Sequence, residues 1–162
     1  MSKVFKRRII REKVLQVLYA YDMNNDNLQS QIDEIFSDVD DDNDKKFGIS
    51  LIFKTIAERN RFDEMIKSKV SNWEMDRIAL LDKLLLRMGI CELIHFEDIP
   101  PKVSINEAIE ISKTYSTAGS AKFINGVLDA ILSNLKNSGQ LKKTGRGLLD
   151  ESIQKKSAKK SE

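Results

Sequence analysis

In A-K-F-I-N-G a cation, an aromatic ring and an amide stand close together, as Lys122, Phe123 and Asn125. Either Phe123 or Ile124 can serve the core from this turn, so the other is left for a surface role. A second group lies near the start of the chain. Lys3, Lys6, Arg7, Arg8, Arg11 and Lys13 are opposed within that stretch only by Glu12. Arg8, Glu12, Gln16 and Tyr19 recur at spacings of four and three, which makes one polar stripe of a helix ending in a tyrosine. Arginines and aromatics on helix ends suit single-stranded RNA, whose phosphates meet guanidinium groups while its bases stack on rings. Tyr19 and Phe123 are the candidates for stacking.

Other chemistries find little support. The chain has no Gly-rich phosphate loop, no C-x-x-C, no H-E-x-x-H and no G-x-S-x-G. Its only histidine, His95, falls near a helix end without a ligand cluster at metal-binding spacing. The run D-V-D-D-D-N-D has oxygen ligands but lacks the glycine of a calcium loop, whose sixth position is Asn43, and has no glutamate at the twelfth. No metal or cofactor is expected. The single cysteine, Cys91, lies in an apolar run and reads as a small buried hydrophobe of a reducing cytoplasm. No window reaches the ~18 apolar residues of a membrane span, so no membrane partner is expected.

The net charge of +2 conceals segregation. Asp22, Asp26, Asp33, Glu34, Asp38, Asp40, Asp41, Asp42 and Asp44 fall in a stretch free of Lys and Arg, between the basic start and a basic end. That asymmetry suggests one end that binds polyanions and a loop that repels them.

The elements that must position these residues are helices throughout. A first helix over about 5–22 buries Ile10, Val14, Val17, Leu18 and Tyr21. Short helices follow at about 28–36, 46–58 and 61–71, with the acidic stretch 38–44 as a mobile loop. Trp73 reads as a core plug between subdomains. The most apolar helix, about 76–95, should be central, started by Asp76 or Asp82. Arg87 lies in its middle and needs a partner, with Glu92, Glu107 or Asp129 available. Ser104 and Glu107 have capping-box spacing, which starts the next helix at about Ile105. Residues 116–119 supply caps for the last helix, which packs through Val127, Leu128, Ile131 and Leu135. Beyond Gly139 the pattern stops in K-K-T-G-R-G and K-K-S-A-K-K, which reads as a disordered basic tail.

Taken together, R-R-I-I-R-E-K-V-L-Q-V-L-Y-A-Y-D, W-x-x-x-R-I, L-D-K-L-L-L-R-M-G-I-C-E-L, I-P-P-K-V-S-I-N-E-A-I-E-I-S-K and S-A-K-F-I-N-G-V-L-D-A-I resemble the NusB family of transcription antitermination factors. The match runs from about Arg7 to Leu135 in the family's order and spacing. It implies an all-α fold of two small helical bundles with about seven helices, divided as 1–75 and 76–138 with the tail 139–162 outside. It also implies a non-enzymatic RNA-binding protein. Such a protein pairs with the ribosomal protein NusE, recognises boxA-type single-stranded RNA of ribosomal RNA leaders, and joins an RNA polymerase antitermination complex.

Carried over onto this sequence, the family's RNA surface falls on Arg7, Arg8, Arg11, Gln16, Tyr19, Arg87, Lys122, Phe123 and Asn125. Asp82 falls near the contact with the ribosomal protein. The turn 116–119 lacks the acidic residues that members often carry there. A helical protein–protein adaptor is the alternative class, and a stand-alone relative of the NusB-like domain of rRNA methyltransferases is another. The sequence leaves open whether the free chain is a monomer or a homodimer.

Overall fold

Leu80–His95 is helical along its whole length and forms the axis on which the other elements pack. The computed structural model describes residues 3–25 and 27–149, with side chains from Phe5 onward. In chain order the helices are α1 (Lys3–Asn24), α2 (Leu28–Ile35), α3 (Asp42–Ala57), α4 (Arg59–Lys67), α5 (Asn72–Arg77), α6 (Leu80–His95), α7 (Pro101–Tyr115) and α8 (Ala118–Asn137). A 3₁₀ turn follows at Gly145–Leu148. Among the described residues there is no strand, in agreement with the all-α expectation.

One face of α6 packs against α1, α3 and α4, and the other against α7 and α8. Leu84, Leu85, Leu86, Met88, Ile90, Cys91 and Leu93 are all buried, which is why the sequence of this helix shows no polar face. A single apolar cluster therefore runs through α6 from Val14, Leu51 and Phe62 on one side to Ile111, Leu128 and Ile131 on the other. Gly89 lets α8 approach closely, because a Cβ there would sit 2.9 Å from Leu128 Cδ1. Cys91 is buried, and desolvation pushes its thiol up to about 12, so the thiolate is absent at neutral pH.

Several helix starts differ from the sequence expectation. The run expected over 61–71 is interrupted, because Ser71 caps a separate α5 in a capping box with Glu74. The Ser104–Glu107 box does not form. The helix begins at Pro101, whose fixed φ suits a first helical position, and Ser104 lies buried with its hydroxyl donating to Glu92 at 3.0 Å. Neither Asp76 nor Asp82 caps α6; Ala79 is the N-cap and Asp82 lies inside the first turn. The acidic loop is shorter than expected, since Asp41 caps α3 through Asp44 N–H and the helix absorbs Asp42 and Asp44. Trp73 is no core plug. It is 63% exposed, and Met75 takes the buried position of α5.

The chain after α8 is not free where it is described. Lys143 Nζ donates to the carbonyls of Glu92 (3.1 Å) and Phe96 (2.7 Å) at the C-terminus of α6. Thr144 N–H donates to Glu97 O at 3.0 Å, and Leu141 packs against the core. Gly147 is buried against the same carbonyl, where an added Cβ would come within 2.1 Å of Glu97 O. A lysine at the last carbonyls of a helix completes their hydrogen bonds and opposes the negative end of the dipole. The disordered-tail expectation is thus overturned for residues 139–149; residues 150–162 lie outside the described residues.

Candidate nucleic-acid interface

The arginines near the N-terminus are engaged inside the molecule. Arg7 Nε donates to Asp44 at 2.9 Å, and its guanidinium lies 4.3 Å from the Phe47 ring centre. Arg8 forms two bonds to Glu107, at 2.8 and 3.0 Å, and these raise its pKa. Arg11 forms two bonds to Glu92, at 2.9 and 2.7 Å, and Glu92 also accepts from Ser104. Burial works against the charge of Arg11, but Glu92 outweighs it and the pKa rises. Arg11 is only 4% exposed, so its place on the RNA surface is corrected: it locks α1 to α6. Helical spacing could not reveal this, because Arg11 follows Arg8 by three residues while only the fold brings Glu92 alongside.

Arg7 and Arg8 differ from Arg11 in keeping part of their surface. Their side chains are 24% and 29% exposed, and a guanidinium held through one edge retains donors on the other. Gln16 and Tyr19 are exposed on α1. Arg87 does have a partner, though not one expected from the sequence. Asp63 of α4 accepts two bonds from it, at 2.7 and 2.8 Å. Arg87 borders a small crevice with Leu18, Tyr21, Asp22 and Arg59.

At the other end of α6, Asp82 organises the turn into α8. Its oxygens accept from Ser116 (2.8 Å) and Ser120 (2.7 Å), and the carboxylate is 7% exposed. These bonds pull the α7–α8 turn onto α6, while Thr117 N-caps α8 without a side-chain cap bond. Asp82, which the resemblance places near the contact with the ribosomal protein, is thus a buried residue that shapes this turn. The shape decides what α8 displays. Ile124 is wholly buried, so the core position goes to it; Phe123 is half-buried, and Lys122 and Asn125 are exposed.

Phe123 borders a cleft of about 410 Å³ together with Trp73, Arg77, Ile78, Ser116 and Thr117. Trp73 and Arg77 were not among the candidate residues. Their W-x-x-x-R spacing was the available signal, since four residues on a helix place two side chains on one face. The candidate residues that keep accessible surface thus fall in two groups: Arg7, Arg8, Gln16 and Tyr19 along α1, and Lys122, Phe123 and Asn125 at the opening of α8.

Comparison with known proteins agrees with this architecture. The family model for NusB matches residues 8–133. The transcription antitermination protein NusB of Chloroherpeton thalassium is 44% identical over 149 residues, covering 91% of this chain and 71% of that protein. The corresponding protein of Salinibacter ruber is 43% identical over 145 residues, covering 88% and 91%. Among solved structures, T. maritima NusB superposes with a TM-score of 0.73 at 33% identity, covering 78% of this chain and 90% of that one. A structure of antitermination factors NusB and NusE in complex with double-stranded RNA has a TM-score of 0.71 at 23% identity, covering 83% and 99%, and shares the fold. The helix order built around α6 and the matched sequence running through α1 to α8 lead to one conclusion: this chain belongs to the NusB family.

Proposed function

We propose that this chain is a non-enzymatic, RNA-binding transcription antitermination factor. It pairs with the ribosomal protein NusE, binds boxA-type single-stranded RNA of nascent ribosomal RNA leaders, and joins a termination-resistant RNA polymerase complex. The names of its relatives support antitermination, and the assembly of a protein of the same fold with NusE and double-stranded RNA supports NusE and RNA as partners. The observation that carries it is the opening turn of α8. There Ile124 is wholly buried, Lys122 and Asn125 are exposed as cation and amide, and Phe123 packs one side against the core while keeping part of its ring at the surface. In this reading Arg7, Arg8, Gln16, Tyr19 and Arg87 extend the RNA surface, and Arg11 serves it only by fixing α1.

A protein–protein adaptor is the competing reading. The intramolecular pairing of Arg7, Arg8 and Arg87 favours it, because a phosphate must share each guanidinium with a carboxylate. Substitution at Phe123 separates the two. Phe123→Ala is expected to lower RNA affinity by ~1–3 kcal/mol, the worth of a stacked base, and to cost about 1–2 kcal/mol of stability for its half-buried ring. Ile124→Ala should show the opposite balance, about 2–5 kcal/mol of stability through the cavity it leaves. Tyr19→Phe should bind better than Tyr19→Ala, since stacking survives loss of the hydroxyl. Filter binding and thermal melting on the same preparations provide both readouts. Full RNA affinity in a folded Phe123→Ala protein would refute the stacking role.

A further inference from the structure

We propose that the cleft between α5 and the opening of α8 is a pocket for a single unpaired nucleobase, with Trp73 and Phe123 as its aromatic walls. The inference deepens the RNA-binding reading above and rests on it.

Trp73 is the starting point. Its ring is 63% exposed, tryptophan is enriched at interfaces where one end of the ring is apolar and the other wet, and here the residue is held in place. Although α5 spans only Asn72–Arg77, the reciprocal Ser71–Glu74 cap closes its N-terminus and Met75 anchors it in the core. Arg77, one turn on, lays its guanidinium 4.2 Å from the indole centre. Stacked on the ring, the guanidinium keeps its edge donors available, and cation and indole together make a rigid, flat, positively charged wall.

The charged groups around the cleft are of two kinds. Glu74 accepts the Ser71 backbone N–H, and Asp82 accepts two serine hydroxyls, so both acids are committed within the fold. Arg77, the one cation lining the cleft among the described residues, has no ion pair there, unlike Arg7, Arg8, Arg11 and Arg87 elsewhere. A cation with open donors beside two rings matches a planar base carried on a phosphate backbone. The Ser116 and Thr117 hydroxyls at the cleft supply polar groups for a base edge. A volume of about 410 Å³ admits a base with room for its ribose. An apolar protein side chain would use the rings but has no need of the unpaired Arg77 guanidinium, so the observations favour RNA.

Trp73 is the only tryptophan in the chain, which makes its fluorescence a direct reporter of the pocket. The full chain is titrated with a short single-stranded RNA and, in parallel, with an abasic ribose-phosphate oligomer of equal length. Saturable quenching by the RNA and none by the bound abasic oligomer is the expected result. Trp73→Leu, a change at an exposed position, should weaken RNA binding about tenfold, within the range of one lost stack, and leave the abasic oligomer unaffected. RNA that binds without quenching and binds Trp73→Leu equally well would overturn the pocket while leaving the RNA-binding reading intact. If neither oligomer binds, that reading fails and the pocket with it. A fluorescence change produced only by a protein partner would reassign the cleft to a protein contact and overturn the proposal.

Discussion

Replacing Arg11 with alanine is expected to cost the protein about 3–5 kcal/mol of stability, because the change strands the Glu92 carboxylate in the core. Both side chains are nearly sealed from water, at 4% and 2% exposure, and Ser104 is a second side-chain donor to Glu92. A domain of this kind has about 5–15 kcal/mol in total, so the single variant should be partly unfolded at physiological temperature. Removing both charges is a different experiment. Arg11→Met combined with Glu92→Leu takes away the desolvation cost along with the attraction, and should recover most of the loss. Chemical denaturation of the wild type, the single variant and the double variant tests this. Equal destabilisation in single and double variants would mean that packing, not the ion pair, is what Arg11 contributes.

The second large effect concerns the segment after α8. Ending the chain after Gly139 removes the two lysine bonds to the carbonyls of α6, the Thr144 backbone bond and the packing of Leu141. Hydrogen bonds from a charged donor are worth roughly 1.5–3 kcal/mol each, so a net loss of about 3 kcal/mol is expected. For a chain of this size that corresponds to a fall in melting temperature of roughly 6–12 °C. Gly147→Ala should give part of the same fall, since its new methyl group cannot share space with Glu97 O. A truncated protein that melts with the wild type would show the segment to be unattached in solution.

These two predictions mark where sequence reading succeeded and where it stopped. Periodicity located α6 and its burial, because an uninterrupted run such as L-L-L-R-M-G-I-C-E-L leaves no polar face to orient outward. The same reasoning placed Val14, Val17, Leu18, Leu128 and Ile131 in the core. It also recognised that Ile124 could free Phe123 for the surface. What it missed are contacts between residues far apart in sequence. Arg11 and Glu92 are 81 positions apart, and Arg87 and Asp63 are 24 apart, so neither pairing leaves a local trace. Ser104 and Glu107 look like a cap by spacing, yet each is claimed by a distant partner, Glu92 and Arg8 respectively. The polar tail misled for a related reason: K-K-T-G-R-G looks like solvated chain until the carbonyls of α6 are there to receive Lys143.

Trp73 is the converse case. Tryptophan is a natural core residue, so the sequence alone argues for burial. The Ser71–Glu74 box rotates the short α5 so that Met75 points inward, and the indole is left outside with Arg77 over it. One cap thus converts an apparent core residue into a surface feature next to Phe123.

The central claim is that this fold offers only part of an RNA site and completes it with a partner. Three of its candidate phosphate contacts, Arg7, Arg8 and Arg87, are already paired with carboxylates, so a single chain has few such contacts to give at this surface. Filter binding of boxA-type RNA at one fixed salt concentration, with and without the ribosomal protein NusE, addresses this directly. The account predicts much tighter binding by the pair than by this chain alone, with the gain lost when the RNA sequence is scrambled. Equal affinity with and without the partner would contradict it.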